Sequence, residues 1–153
     1  LHGKYKGMAP CCDLYVGKIL NKRGEGSLKT LLRGLQWLLS IAESCNIRVI
    51  NRSVSSIASA RPEEQRMLYE LFQYAYENNI LIVTAAGNFG PGDNTISRLG
   101  DTPYGKYVAR SGTSMATPIV SGLLALVREK YPYLNATQLK RKLILSATDL
   151  GES

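Results

Sequence analysis

The sequence is poor in the residues that metal and disulfide chemistry require, with three cysteines and one histidine among 153 residues. Cys11, Cys12 and Cys45 cannot build a disulfide framework, because adjacent cysteines rarely bridge and one thiol is left over. No CxxC pair exists and the one histidine is His2, so no zinc site is expected and no metal ligand is assigned. The cysteines are expected to pack as small apolar side chains at strand and helix positions. Free thiols lean towards a reducing compartment. Long apolar runs are missing too. The longest charge-free stretch, Ser111 to Val127, has 17 residues and carries Ser, Thr, Gly and Pro118, too polar and slightly short for a bilayer, so no membrane span is expected. No charged leader with an apolar region is present, so no targeting signal is expected within this chain. No G-x-G-x-x-G follows the first predicted strand, which disfavours a nucleotide-binding doubly wound domain.

What is present is ordinary globular material: 44% hydrophobic residues, 20% charged, and a length suited to a single core. The formal charge of +7 is uneven. Residues 1–33 carry +5, residues 34–100 carry −1 and residues 101–153 carry +3. No zinc spacing, aromatic RNA-binding signature or Lys/Arg block accompanies this bias, so a solvated basic surface is the preferred reading and no nucleic-acid partner is expected.

Patterning along the chain alternates strand and helix. Asp13 to Leu20 reads as a strand after the turn signal Gly7-Met8-Ala9-Pro10. From Ser27, a capping residue, Leu28, Leu31, Leu32, Leu35, Leu38, Leu39 and Ala42 fall on one helical face. Ile47 to Val54 reads as a second strand and Ser55 to Ala60 as a loop. Pro62, Glu63 and Glu64 open a helix with Met67, Leu68, Leu71, Phe72 and Ala75 as its core face, stopped by Asn78-Asn79. A third strand, Ile80 to Ala86, runs into the glycine-rich turn Gly87 to Gly92, and Asp93 to Arg110 read as irregular. A long helix over about Ser114 to Lys130 is expected to bury Ile119, Val120, Leu123, Leu124 and Val127. A last helix runs from Ala136 to near Ser146, with Asn135 and Gln138 in the capping-box relation. The pattern predicts a three-layer α/β fold, a mainly parallel sheet with helices on both faces.

Two junctions carry chemistry. Ala85-Ala86-Gly87-Asn88 delivers an amide side chain into a glycine-flanked turn, and Gly112-Thr113-Ser114-Met115-Ala116-Thr117-Pro118 places a hydroxyl at the amino end of a buried helix. Unpaired amides and the helix dipole there favour developing negative charge, the setting that a serine nucleophile and its oxyanion need. Ser114 attacking, with its own N–H and the Asn88 side chain as donors, is chemically coherent.

At these residues the chain resembles the subtilisin-like serine proteases, or subtilases. SGTSMATP is similar to the family's nucleophile motif G-T-S-M-A-x-P, and TAAGN to the strand that presents its oxyanion asparagine. GMAP with DLYVGKIL, NIRVIN with Ser53 following, and the helix PYLNATQLKRKL extend the resemblance from about Gly7 to Gly151. It implies a serine endopeptidase with a subtilisin-like fold, Ser114 as nucleophile and Asn88 as oxyanion donor. Ser53, Val54 and Ser55, with Ala85, Ala86 and Gly87, would be walls of the substrate-binding pocket. The partner would be a peptide or protein substrate. No cofactor is implied; calcium is common in the family, but no ligand set here matches. An extracellular location is usual for the family.

The departures matter equally. The family order is Asp, His, Ser, yet the aspartate strand has no counterpart here, and His2-Gly3-Lys4-Tyr5 does not match the family's histidine motif. His2 is therefore read as a frayed terminal residue rather than a base. The interval from Asn88 to Ser114 is only 26 residues, so the segment between 92 and 108 is read as shortened. Arg52 stands where the family usually has an apolar core residue, and a buried guanidinium without a partner is costly. Ser55 stands where a glycine usually lets substrate backbone approach. Residues 1–153 are thus expected to be a partial catalytic domain, truncated and inactive alone, whose Asp/His portion would be its partner. A degenerate, non-catalytic relative that keeps a peptide-binding groove is the alternative.

Overall fold

The computed structural model describes residues 7–54, 61–85 and 112–148. Four helices and two strands lie among them: α1 (Leu28–Ser40), β1 (Val49–Arg52), α2 (Pro62–Glu77), β2 (Leu81–Thr84), α3 (Thr113–Lys130) and α4 (Ala136–Ser146).

Helix starts are set by local chemistry. Ser27 Oγ accepts the Thr30 N–H at 3.2 Å while Thr30 Oγ1 accepts the Ser27 N–H at 3.0 Å, which satisfies two amides that α1 leaves open. Asn135 and Gln138 form the same reciprocal pair at α4, each bond 2.9 Å. Pro62 takes the first position of α2, where its missing N–H costs nothing.

Both helices that feed a strand end alike. Asn46 and Asn79 adopt left-handed φ values of 51° and 58°, a conformation asparagine tolerates better than other residues with a Cβ. The turn lets Ile47 N–H reach the Ala42 carbonyl and Ile80 N–H reach the Ala75 carbonyl, both at 2.8 Å. All four of these alanine and isoleucine residues are buried. The chain then enters β1 and β2, which pair in parallel with Val49 opposite Leu81 and Arg52 opposite Thr84, α2 serving as the crossover.

The sheet is covered on both faces. Ile50 joins Leu32, Leu35 and Leu39 of α1 and Leu68 and Ala75 of α2 in the main core. Its neighbour Asn51 points the other way, as strand alternation requires, and meets Ser121 of α3. Helix α3 packs on both strands and α4 packs on α3. This is the expected α/β architecture, a parallel sheet with helices on both faces, with two strands among the described residues.

Four expectations are corrected. Asp13–Leu20 is not a strand: no described strand pairs with it, and Leu14 and Val16 are exposed by 61% and 72%. What holds it is close packing on α1, where Ile19 Cγ2 would lie 2.6 Å from a Cβ at Gly34. The sheet-facing side of α3 is Ser114, Thr117, Ser121 and Leu124, whereas Ile119 and Val120 are exposed. Small side chains allow the helix to lie close on the sheet, so size rather than hydropathy selects its inner face. Met67 is exposed, unlike its helix neighbours Leu68 and Ala75. Cys11 and Cys12 are exposed free thiols, and Cys45 alone packs against the core.

Candidate active site

Ser114 sits in the first turn of α3, one residue inside Thr113 and two beyond Gly112. Gly112 has φ 138° and ψ 157°, a conformation open mainly to glycine, and this admits the chain to the helix. Ser114 is 6% exposed, a buried hydroxyl on the face that meets the sheet. Four residues on, Pro118 has no N–H to give the Ser114 carbonyl, so that carbonyl lacks its helical bond. Thr117 Oγ1 donates to the Thr113 carbonyl at 2.7 Å and steadies the same turn.

One contact ties α3 to the sheet: Ser121 Oγ lies 3.0 Å from Asn51 Oδ1. From Ser121 back to Ser114 is seven residues, two turns and about 10 Å of helix, so both serines share the face that meets the sheet. Ser53 and Val54 follow the carboxyl end of β1. Ala85 lies beside them, its N–H bonded to the Arg52 carbonyl at 3.1 Å. In open α/β sheets this end is where ligands bind.

Of the expected site residues, Ser114 lies in the first turn of α3, Ser53 and Val54 directly follow β1, and Ala85 directly follows β2. Ser55, Ala86, Gly87 and Asn88, together with the segment 93–110 and His2, lie outside the described residues. Among the described residues no group of three or more His, Cys, Asp or Glu could hold a metal ion, and no helix is long and apolar enough to cross a membrane.

Sequence reasoning missed Asn51. Its Nδ2 donates to Ser53 Oγ at 2.9 Å while its Oδ1 faces Ser121, so it couples the pocket wall to α3. An amide side chain directly after the apolar pair Val49-Ile50 of the expected strand was the available signal. The electrostatics are positive. The amino end of α3 carries its dipole, and Arg52, the residue before Ser53 in the chain, has its Nε buried and unpartnered among the described residues. Burial pushes its pKa below the ordinary arginine value.

The sequence matches the profile described as the Subtilase family in two stretches, residues 2–103 and 91–153. It is 31% identical over 181 aligned positions to the thermostable alkaline protease of Halalkalibacterium halodurans, covering 95% of this chain and 48% of that protein. It is 30% identical over 187 positions to subtilisin DY of Bacillus licheniformis, covering 96% of this chain and 65% of that protein. Among solved structures, Sphericase superposes with a TM-score of 0.71 at 26% identity, over 90% of this chain and 61% of the other. The chain thus spans roughly half to just under two thirds of the length of these proteins.

Proposed function

Because this chain belongs to the subtilase family of serine proteases, we propose that it supplies the nucleophile half of an endopeptidase that hydrolyses peptide bonds through an acyl-enzyme on Ser114. The observation that supports this reading is the buried Ser114 side chain in the first turn of α3, on the helix that packs on β1 and β2. Ser114 Oγ attacks the scissile carbonyl carbon and loses its proton to a base. The carbonyl oxygen takes up the negative charge, received by the Ser114 N–H and the Asn88 side chain. Collapse expels the amine and leaves the acyl group on Ser114 until water releases it. Ser53, Val54 and Ser55 on one side, and Ala85, Ala86 and Gly87 on the other, hold the residue before the scissile bond.

The base is what these 153 residues do not supply. No family aspartate or histidine motif has a counterpart in them, so the chain alone has negligible turnover; loss of the histidine costs about a millionfold in subtilisin itself. Those groups come from polypeptide outside this sequence. The 181-position alignment has 28 more positions than the chain has residues, so this chain lacks positions that the relative has; the two stretches matched by the family profile overlap at residues 91–103, which supports placing a shortened segment near 92 to 108.

Labelling with a fluorophosphonate, with and without high concentrations of imidazole as a diffusible base, tests both halves of this reading. Without imidazole the chain should label very slowly; with it, labelling should rise and should vanish in Ser114→Ala. Rapid stoichiometric labelling without imidazole would show that a base is present. No difference from Ser114→Ala under rescue would favour a degenerate relative that only binds peptides.

A further inference from the structure

The last helix presents a surface that the peptidase chemistry does not use. Helix α4 packs on α3, with Ala136 and Leu139 buried and Leu143 half-buried. A period of 3.6 residues from that inner face puts Arg141 and Leu145 on the opposite side, with Ile144 next to them. Leu145 is 73% exposed and Ile144 60%, so two adjacent aliphatic side chains stand where a water-facing helix ordinarily carries polar groups.

Cations surround this pair. Residues 130–148 hold Lys130, Lys140, Arg141 and Lys142 and no acid. None of the ion pairs formed among the described residues uses any of the four. Two of them meet at one ring, where Lys142 Nζ lies 4.2 Å and Lys130 Nζ 5.7 Å from the centre of Tyr131. Tyr133, 78% exposed, stands edge-on to that ring at 6.4 Å. The end of α3 and the middle of α4 thus form one basic, aromatic and aliphatic surface.

The mixture selects the partner. A nucleic acid would answer the cations and leave Ile144 and Leu145 in water, whereas an apolar groove would cover that pair and strand the charges. An anionic bilayer answers both, with phosphates for the cations, acyl chains for the aliphatics and the boundary between them for a tyrosine, whose ring is apolar and whose tip is polar. Among the described residues no helix is long and apolar enough to cross a membrane, so α4 would lie in the plane of the lipid surface.

We propose that the outward face of α4, with Lys130 and Tyr133 beside it, docks this chain on an anionic lipid bilayer. Ile144 and Leu145 enter the layer beneath the headgroups, and Lys140, Arg141 and Lys142 meet lipid phosphates. Sixteen residues, about 24 Å of helix, separate Lys130 from Ser114, so the two ends of α3 serve different surfaces. The proposal does not depend on Ser114 being a nucleophile.

The test is sedimentation of the whole chain with large vesicles, either of phosphatidylcholine alone or of equal parts phosphatidylcholine and phosphatidylglycerol. The chain should bind the mixed vesicles and not the neutral ones. The triple variant Lys140→Gln, Arg141→Gln, Lys142→Gln should bind about a hundredfold more weakly, and Ile144→Ser with Leu145→Ser about tenfold more weakly. Removing three exposed cations at and just before α1, by Lys22→Gln, Arg23→Gln and Arg33→Gln, should cost about threefold or less. All the substituted positions are exposed, and circular dichroism should match the parent chain in each variant. Leu145→Trp should give emission that shifts to the blue on mixed vesicles, while Trp37 of α1 in the parent chain should give none. Equal binding to neutral vesicles, no binding to mixed ones, equal losses in the two charge variants, or full binding by the double serine variant would each overturn the proposal. So would tighter binding to a DNA duplex than to the mixed vesicles, or a dimer of the parent chain that Leu145→Ser dissociates.

Discussion

Asn51 and Ser121, 70 residues apart in sequence, meet with 3.0 Å between Oδ1 and Oγ at the junction of β1 and α3. The Ser121 hydroxyl has one proton and two acceptors in reach, the second being the Thr117 carbonyl at 2.9 Å. The contact sets the distance of the helix from the strand at this point. Asn51→Ala and Ser121→Ala should each cost about 1 to 2 kcal/mol in urea unfolding. Together they should cost less than their sum by about 1 kcal/mol, because both remove one bond. Strict additivity would show that the pair is not coupled.

Gly122 is the point where the segment at Met8 lies against α3. A Cβ there would come within 2.7 Å of Met8 Cβ, whereas one at Gly7 would meet nothing within 4 Å. Gly122→Ala should therefore destabilise by about 1 to 3 kcal/mol, offset in part by the better helix propensity of alanine, and should speed proteolytic cleavage within residues 7–12. Gly7→Ala should leave the cleavage rate unchanged. Equal rates in the two variants would mean that this packing does not hold the segment.

Removing a charge should strengthen the chain at one site. Arg52→Met deletes the buried, unpartnered Nε and keeps an apolar stem of similar reach. The gain in unfolding free energy should be about 1 kcal/mol. A lower urea midpoint for the variant would show that the guanidinium is satisfied in solution.

The amino end of α2 should be sensitive to acid. Arg61 bonds Glu64 at 2.9 Å and holds its carboxyl below the ordinary value of 4.5. A lowered folded pKa gives stability that is present above 4.5 and lost as pH falls through the lower value. The difference in urea midpoint between the parent chain and Glu64→Gln should shrink from pH 6 to pH 3. Arg61 is exposed and Glu64 partly so, so 1 M salt should shrink it too. A difference that grows with acidity would reverse the assignment.

The helices were legible because their signals are local. Ser27, Asn135 and Gln138 cap as their spacing suggests, and the leucine stripe of α1 faces the core. The strand expected over Asp13–Leu20 failed because a β-rich run becomes a strand only when another strand pairs with it, a non-local condition. The inner face of α3 was misjudged for a related reason. Ile119 and Val120 are apolar, but closeness to β1 selects Ser114, Thr117 and Ser121. Ser114 itself was legible from its motif, whereas Asn51 was not, since its role depends on a partner 70 residues away.

Asn79 does more than turn the chain between α2 and β2. Its Oδ1 also accepts the Ala136 N–H at 3.2 Å, at the first turn of α4. The turn and the last helix are joined by one side chain, so a pull on α4 reaches the molecule through its packing on α3, through the Tyr76–Thr137 hydroxyl pair to α2, and directly through Asn79 to the base of β2. A tether at residue 148 would therefore load the middle of the fold before it peeled the end.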